Sequence, residues 1–226
     1  MSAMPGIWAV VPVKAFGLAK QRLGHTYPPG LRRELAQAML EDVLDTLKRV
    51  AGIAGLAVVT LDLEAGKLAR KYGAEVLDEE ADGGLNEAVM GAARRLAREG
   101  CDGMLVVAGD VPGITVAEVE ALLASHRRSR GLSIVPARDR KGTNAYIATP
   151  ADAIAPAFGE GSFARHLLAG RAARLEPAVL PLPGIGFDLD HPEDVALFAA
   201  TPSPTRTWRC LLSRGLATPR QSEPAL

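Results

Sequence analysis

The chain has 226 residues, 48% of them hydrophobic, and 26 lysines and arginines balance 26 aspartates and glutamates to a net charge of zero. That length suits one α/β domain with a sizeable core and is short for two, and the balanced charge gives no global pull toward nucleic acid or a membrane surface, so anion binding has to be local. Two cysteines, Cys101 and Cys210, are too few for a disulfide framework and lack metal-ligand spacing, which points to a reducing, cytoplasmic compartment; no apolar run reaches the roughly 18 residues of a membrane span, and the N-terminus lacks a signal-peptide layout.

Ile7 to Val13 is apolar throughout, the pattern of a strand buried on both faces. Lys14, Lys20 and Arg22 follow it too closely to lie in its core. They belong at its carboxyl end or in the loop beyond, where open α/β sheets bind ligands. Residues 31–50 place Leu31, Leu35, Met39, Val43, Leu47 and Val50 at helical spacing with charges between them. "LAVVT" at 56–60 reads as a second strand, "EAGKLARKYG" as a short helix ending on Gly73, and "AEVL" as a third strand.

A glycine turn and a second amphipathic helix follow in "GGLNEAVMGAARRLAREG", and then "GMLVVAGD", a buried strand whose last residue is a carboxylate. Thr115 and Glu118 have capping-box spacing at the start of the helix "TVAEVEALLASH". "LSIVPA" and "NAYIAT" are later strands; "SFARHLLAG" and "PEDVALFAA" are helices, the second with Asp190 placed to cap it. Alternating strands and helices predict an α/β fold with a mostly parallel, doubly wound sheet, as one domain over residues 1–200. Residues 201–226 are proline-dotted, basic and weakly periodic, and are expected to be a tail outside the core with one short helix over 206–214.

No P-loop pattern is present. "GEGSFA" at 159–164 matches a dinucleotide fingerprint formally but follows "APAF" instead of a strand, so it carries little weight. The remaining chemistry sits at strand ends. Asp110 in "VVAGDVP" should project from the carboxyl end of a central strand, and Asp188 in "GFDLDHPEDV" from another. Two such carboxylates suit Mg²⁺, which completes its shell with phosphate oxygens and water; a turn aspartate is the alternative for Asp110. Asp190 reads better as a helix cap than as a ligand, because Pro192 and Glu193 follow it.

Lys14, Lys20 and Arg22 would neutralise a triphosphate, or else form a solvated loop. Gly84 and Asn86 in "DGGLNEA" would let backbone and amide approach a base or ribose, if they are not an ordinary helix start. Thr143 precedes a strand, and Ser162 follows two glycines at a helix N-terminus, a natural anion site or simply a cap. His166, one turn into that helix, reads as a packed histidine.

Six stretches in order, "VPVKAFGLAKQRL", "GGLNEA", "GDVP", "KGTNA", "FGEGSFARH" and "FDLDHPED", resemble the 2-phospho-L-lactate guanylyltransferase (CofC) family of coenzyme F-420 biosynthesis over residues 7–199. The resemblance implies a fold like that of nucleotide-diphospho-sugar transferases, and transfer of GMP from GTP to a small phosphorylated carboxylic acid with release of pyrophosphate. The acid would be 2-phospho-L-lactate, phosphoenolpyruvate or 3-phospho-D-glycerate. Carried over, Asp110 and Asp188 hold Mg²⁺, Lys14 and Lys20 serve the triphosphate, and Thr143, Gly159 and Ser162 contact the acid. Competing readings are a molybdopterin- or sugar-phosphate-type nucleotidyltransferase and a non-catalytic GTP-binding regulatory module. A homodimer through helix 31–50, and handover of a labile product to the next transferase of the pathway, are further expectations.

Overall fold

The computed structural model describes residues 6–18, 20–77, 83–126 and 129–219. Asp82 of the glycine turn and residues 220–226 of the expected tail lie outside them. The chain runs β1 (Ile7–Pro12), α1 (Pro29–Arg49), β2 (Ile53–Val59), α2 (Leu63–Lys71), β3 (Glu75–Leu77), α3 (Leu85–Arg98) and β4 (Gly103–Val107). It continues with α4 (Val116–Ser125), β5 (Gly131–Pro136), β6 (Thr143–Thr149), α5 (Ser162–Ala172), β7 (Ala178–Val179), α6 (Pro192–Ala199) and α7 (Arg206–Ser213). Two short 3-10 turns, Phe16–Leu18 and Gln21–Leu23, shape the loop after β1.

The seven strands form one sheet in the order β3-β2-β1-β4-β6-β5-β7. β3, β2, β1 and β4 are mutually parallel, as continuous apolar runs require when both faces are covered. Alternation along β1 sends Ala9 and Val11 into the core under α1, α2, α4, α6 and α7, and Val10 into the core under α3 and α5. Helices therefore cover both faces of an α/β fold.

One strand breaks the parallel rule, and this places the site. β6 is antiparallel to both β4 and β5, with Ala145 opposite Val107 and Thr143 opposite Pro136. The amino end of β6 thus shares an edge with the carboxyl ends of its neighbours, a juxtaposition that short connections make possible only for antiparallel strands. Pairing advances from Val135 opposite Ala145 to Pro136 opposite Thr143, leaving Asn144 as an extra residue on the β6 side. Such a bulge re-aims a side chain and is frequent beside active sites.

Two expectations are corrected. Asp190 does not cap α6: the carboxylate of Asp194 reaches back to accept from the backbone N–H of Asp190 and His191 at 3.2 and 2.9 Å. Residues 206–213 are not outside the core either. α7 buries Trp208 and Leu211 against the α1 side of the sheet. Its N-terminus is held by buried Asp42 of α1, which accepts from Arg206 N, Thr207 N and Thr207 Oγ1 at 2.7, 2.9 and 2.7 Å. Trp208 and Leu211 share one face of this eight-residue helix, and what makes that face part of the core is the surface of α1 opposite it, which lies far away in the sequence. Among the described residues no helix is long and apolar enough to cross a membrane.

Candidate active site

At the carboxyl edge of β1 and β4, Lys20 turns inward from a left-handed backbone (φ 55°), one of three non-glycine residues with positive φ among those described. Its ammonium donates to Asp110 Oδ2 at 2.6 Å and to Asp190 Oδ1 at 2.8 Å, with the lysine side chain only 6% exposed. Burial works against the charge, but Asp110 first and Asp190 next outweigh it and hold the lysine pKa above its ordinary value. Arg22, largely exposed, donates to the other oxygen of Asp190 at 3.2 Å. Burial would raise the pKa of Asp190; Lys20 and then Arg22 outweigh burial and lower it.

Asp188 completes the acidic side. Burial first, then the negative charge of Asp110, pushes its pKa up, while the Asn144 amide opposes the shift. Asn144, the bulged residue, donates from Nδ2 to Asp188 Oδ1 and to the Ile185 carbonyl, both at 3.0 Å. Leu189 N donates to the Asp110 carbonyl, tying the two acidic segments together. Gly184 permits the approach: a Cβ there would run into the Gly113 carbonyl and the Glu118 carboxylate.

The strand-end position expected of both carboxylates is observed for Asp110, which follows β4, but not for Asp188, which leaves a turn over residues 183–186 with no strand directly before it; Asp190 joins them because Lys20 and Arg22 converge on it. Sequence spacing gave no hint of that pairing, since Lys20 and Asp190 lie 170 residues apart. Among the described residues no three histidine, cysteine, aspartate or glutamate side chains form a ready-made metal cage. The oxygens of Asp110 and Asp188 nonetheless suit a hard cation that draws its other ligands from phosphate and water. A cationic group already lies against Asp110, and the pKa of Asp188, raised by burial first and by the charge of Asp110 next, shows a carboxylate whose ionised form a cation would favour.

Lys14 is exposed on the same loop. That loop is anchored by Asp62, the N-cap of α2, which accepts from Glu64 N and Ala65 N with Oδ1 and from Phe16 N with Oδ2 at 2.8 Å. Burial alone would raise the pKa of Asp62; the backbone donors Ala65, Phe16 and Glu64 outweigh it and lower it. Asp62 is an anchor of this loop with a local signature in the sequence, because an Asp just before an amphipathic helix is a capping signal.

A second group lies where β6 begins and α5 starts. Thr143 and Ser162 are both buried, and Thr143 N donates to Ser162 Oγ at 2.9 Å. Gly161, at φ 66°, is the N-cap of α5, so Ser162 is its first helical residue and not its cap. Gly159 adopts φ 108° in the loop before the helix. Asn86 does not face this edge with a free amide: its Nδ2 donates to the Phe158 carbonyl at 3.2 Å and its Oδ1 accepts from Phe158 N at 2.7 Å. It ties α3 to the loop that carries Gly159. Gly84, at φ 92°, precedes α3 with open space around it.

A family model described as "Guanylyl transferase CofC like" matches residues 7–216, which takes in every residue of the site. The chain belongs to this family. Among curated relatives, a phosphoenolpyruvate guanylyltransferase of Conexibacter woesei is 37% identical over 189 residues, covering 83% of this chain and 85% of that protein. One of Sphaerobacter thermophilus with the same name is 38% identical over 187 residues, covering 83% and 89%. A solved structure described as a nucleotide-diphospho-sugar transferase from Desulfovibrio desulfuricans aligns with a TM-score of 0.78 at 19% identity over 94% of this chain and 97% of its own. A CMP-2-keto-3-deoxy-manno-octonic acid synthetase complexed with CTP aligns at 0.60 and 14% identity, covering 93% and 99%. The family match extends through α7, in agreement with its place in the core. The family and the shared fold make the chain a nucleotidyltransferase, as its motifs imply.

Proposed function

We propose that the protein transfers GMP from GTP to a small phosphorylated carboxylic acid, with phosphoenolpyruvate the favoured acid, and releases pyrophosphate in coenzyme F-420 biosynthesis. The observation that carries this reading is the buried Lys20 ammonium bridging Asp110 and Asp190 beside Asp188, at the edge where Thr143 and Ser162 also lie. The names of the relatives favour phosphoenolpyruvate over 2-phospho-L-lactate and 3-phospho-D-glycerate.

The chemistry asks little of the protein in proton transfer. A phosphate oxygen of the acid is already anionic near neutral pH, so it attacks the α-phosphorus of GTP without a general base. A bond forms from that oxygen to the α-phosphorus as the bond from the α-phosphorus to the bridging oxygen of the β-phosphate breaks, and pyrophosphate leaves with the electron pair. What the site must supply is alignment and neutralisation of charge. Lys14, Lys20 and Arg22 neutralise the triphosphate, and Thr143, Gly159 and Ser162 hold the acid. Asp110 and Asp188 would hold Mg²⁺, which when bound supplies further charge neutralisation at the phosphate oxygens. Asn144 fixes the Asp188 carboxylate in place, the kind of supporting hydrogen bond that metal-binding carboxylates use.

Pyrophosphate release is the test, with GTP and Mg²⁺ and each of the three acids offered separately. Release with phosphoenolpyruvate, and less with the others, is expected. CTP or UTP outcompeting GTP would move the reading to a different nucleotidyltransferase, and GTP binding with no release with any acid would move it to a regulatory module.

A further inference from the structure

His166 is fully buried on α5, its ring 5.1 Å from that of Tyr146 and 5.0 Å from that of Phe158. Packing alone would explain such a residue, but both of its nitrogens are engaged. Nε2 lies 2.9 Å from the backbone N–H of Ala157. An amide nitrogen can only donate, so Nε2 is the bare, accepting nitrogen. Burial, and then the charge of Arg165, lowers the imidazole pKa to about 4, so the ring is neutral near pH 7. Its single proton is therefore on Nδ1, and Nδ1 donates it to Thr143 Oγ1 at 3.0 Å.

That direction has a consequence for Thr143. Its hydroxyl oxygen has no other partner among the described residues, so the hydroxyl proton must be given to something else. The Ser162 hydroxyl is in the same condition: Oγ accepts from Thr143 N, and its own proton has no acceptor among the described residues. Thr143 is 5% exposed and Ser162 2%. Two buried O–H donors without an acceptor among the described residues are costly unless a ligand or a water accepts from them. They sit beside Gly159 and the first turn of α5, where an anion is favoured.

We propose that His166 is a positioning residue for the phosphorylated acid: through one fixed tautomer it occupies the acceptor side of the Thr143 hydroxyl and turns that hydroxyl into a donor to the substrate anion. By also accepting from Ala157 N, it holds the segment leading to Gly159 in register with Thr143 and Ser162. The inference rests on the acid-binding reading given above and adds to it a residue that touches neither substrate.

Calorimetric titration of the full-length protein with phosphoenolpyruvate and Mg²⁺ reads the pocket, and pyrophosphate release reads the reaction. His166→Leu is expected to weaken phosphoenolpyruvate binding about 10- to 100-fold, the effect of losing one hydrogen bond to a charged group, and to raise the KM for the acid alike, with the KM for GTP unchanged. His166→Gln keeps an acceptor and a donor at similar reach and should restore most of the affinity. Thr143→Val should match His166→Leu, and the double variant should lose no more than either alone, because both act through one hydroxyl. Should His166→Leu not fold, His166→Asn takes its place: its shorter amide cannot span Ala157 N and Thr143 Oγ1 together.

Unchanged acid binding in these variants, additive losses, or equal rises in both KM values would overturn the inference while leaving guanylyl transfer intact. Wild-type binding of the acid without turnover would overturn guanylyl transfer and leave the binding measurements to decide the role of His166. A wild type that binds none of the three acids would overturn both.

Discussion

Replacing Lys20 with methionine keeps the bulk of the side chain and removes the one charge that Asp110 and Asp190 share. Breaking a buried ion pair by removing one partner costs about 3–5 kcal/mol when both charges are fully buried. Here the lysine is 6% exposed, but Asp110 and Asp190 are 31% and 35% exposed, so water screens the stranded carboxylates. A discounted loss of about 1–3 kcal/mol is expected, which for a chain of this size lowers Tm by about 2–12 °C. Thermal unfolding in EDTA measures it. Millimolar Mg²⁺ should restore more Tm to the variant than it adds to the wild type, because a cation can then take the place of the ammonium. Turnover should nonetheless stay about 10²–10³-fold down, the loss typical of removing one electrostatic contact to the transition state. A variant that melts with the wild type in EDTA, or gains no more from Mg²⁺ than the wild type does, would refute the idea that Lys20 balances this carboxylate cluster.

Asp188→Asn should abolish turnover and leave the fold intact, and its stability should carry a pH signature. The folded pKa of Asp188 is raised above 3.8 by burial and then by Asp110, so its contribution to stability is complete below that value and is lost as pH rises through the folded pKa. The asparagine escapes this loss, so in EDTA the Tm of the variant should rise relative to wild type between pH 4 and neutrality; a constant difference would sink the assignment. Trp208→Ala should cost about 3–5 kcal/mol as a buried aromatic truncation, visible as a Tm lowered by about 6–20 °C; a change under a degree would return α7 to the status of an appended tail. Asp42→Ala leaves the first N–H groups of α7 without their acceptor and should cost about 1–3 kcal/mol in denaturant unfolding, whereas an unchanged midpoint would show that packing alone holds the helix.

The pattern of residues alone was enough for the α/β class, because the strands have both faces covered and so read as unbroken apolar runs, as Ile7–Val13 and "GMLVVAGD" do. It was also enough to put Lys20 and Asp110 at one edge, since residues just past the carboxyl ends of parallel strands emerge there, whereas Asp188 reaches that edge from a turn that no strand pattern announced. The capping box of Thr115 and Glu118 was legible because its chemistry is local, and the same locality misled at Asp190. A proline and an acidic residue after Asp190 spell a helix cap in sequence, whereas the partners it finds, Lys20 and Arg22, arrive from a loop at the other end of the chain. Neither period nor spacing could show that β6 runs antiparallel, and so brings Thr143 to the same edge as Asp110, or that a bulge turns Asn144 toward Asp188. His166 was readable as a packed histidine, but the direction of its proton was decided by an amide of Ala157 held nine residues away by the fold of a loop. Hydrophobic periodicity is set by which face a residue buries, and it survives in one dimension; hydrogen-bond direction and charge pairing depend on which distant groups meet, and only the tertiary structure decides that.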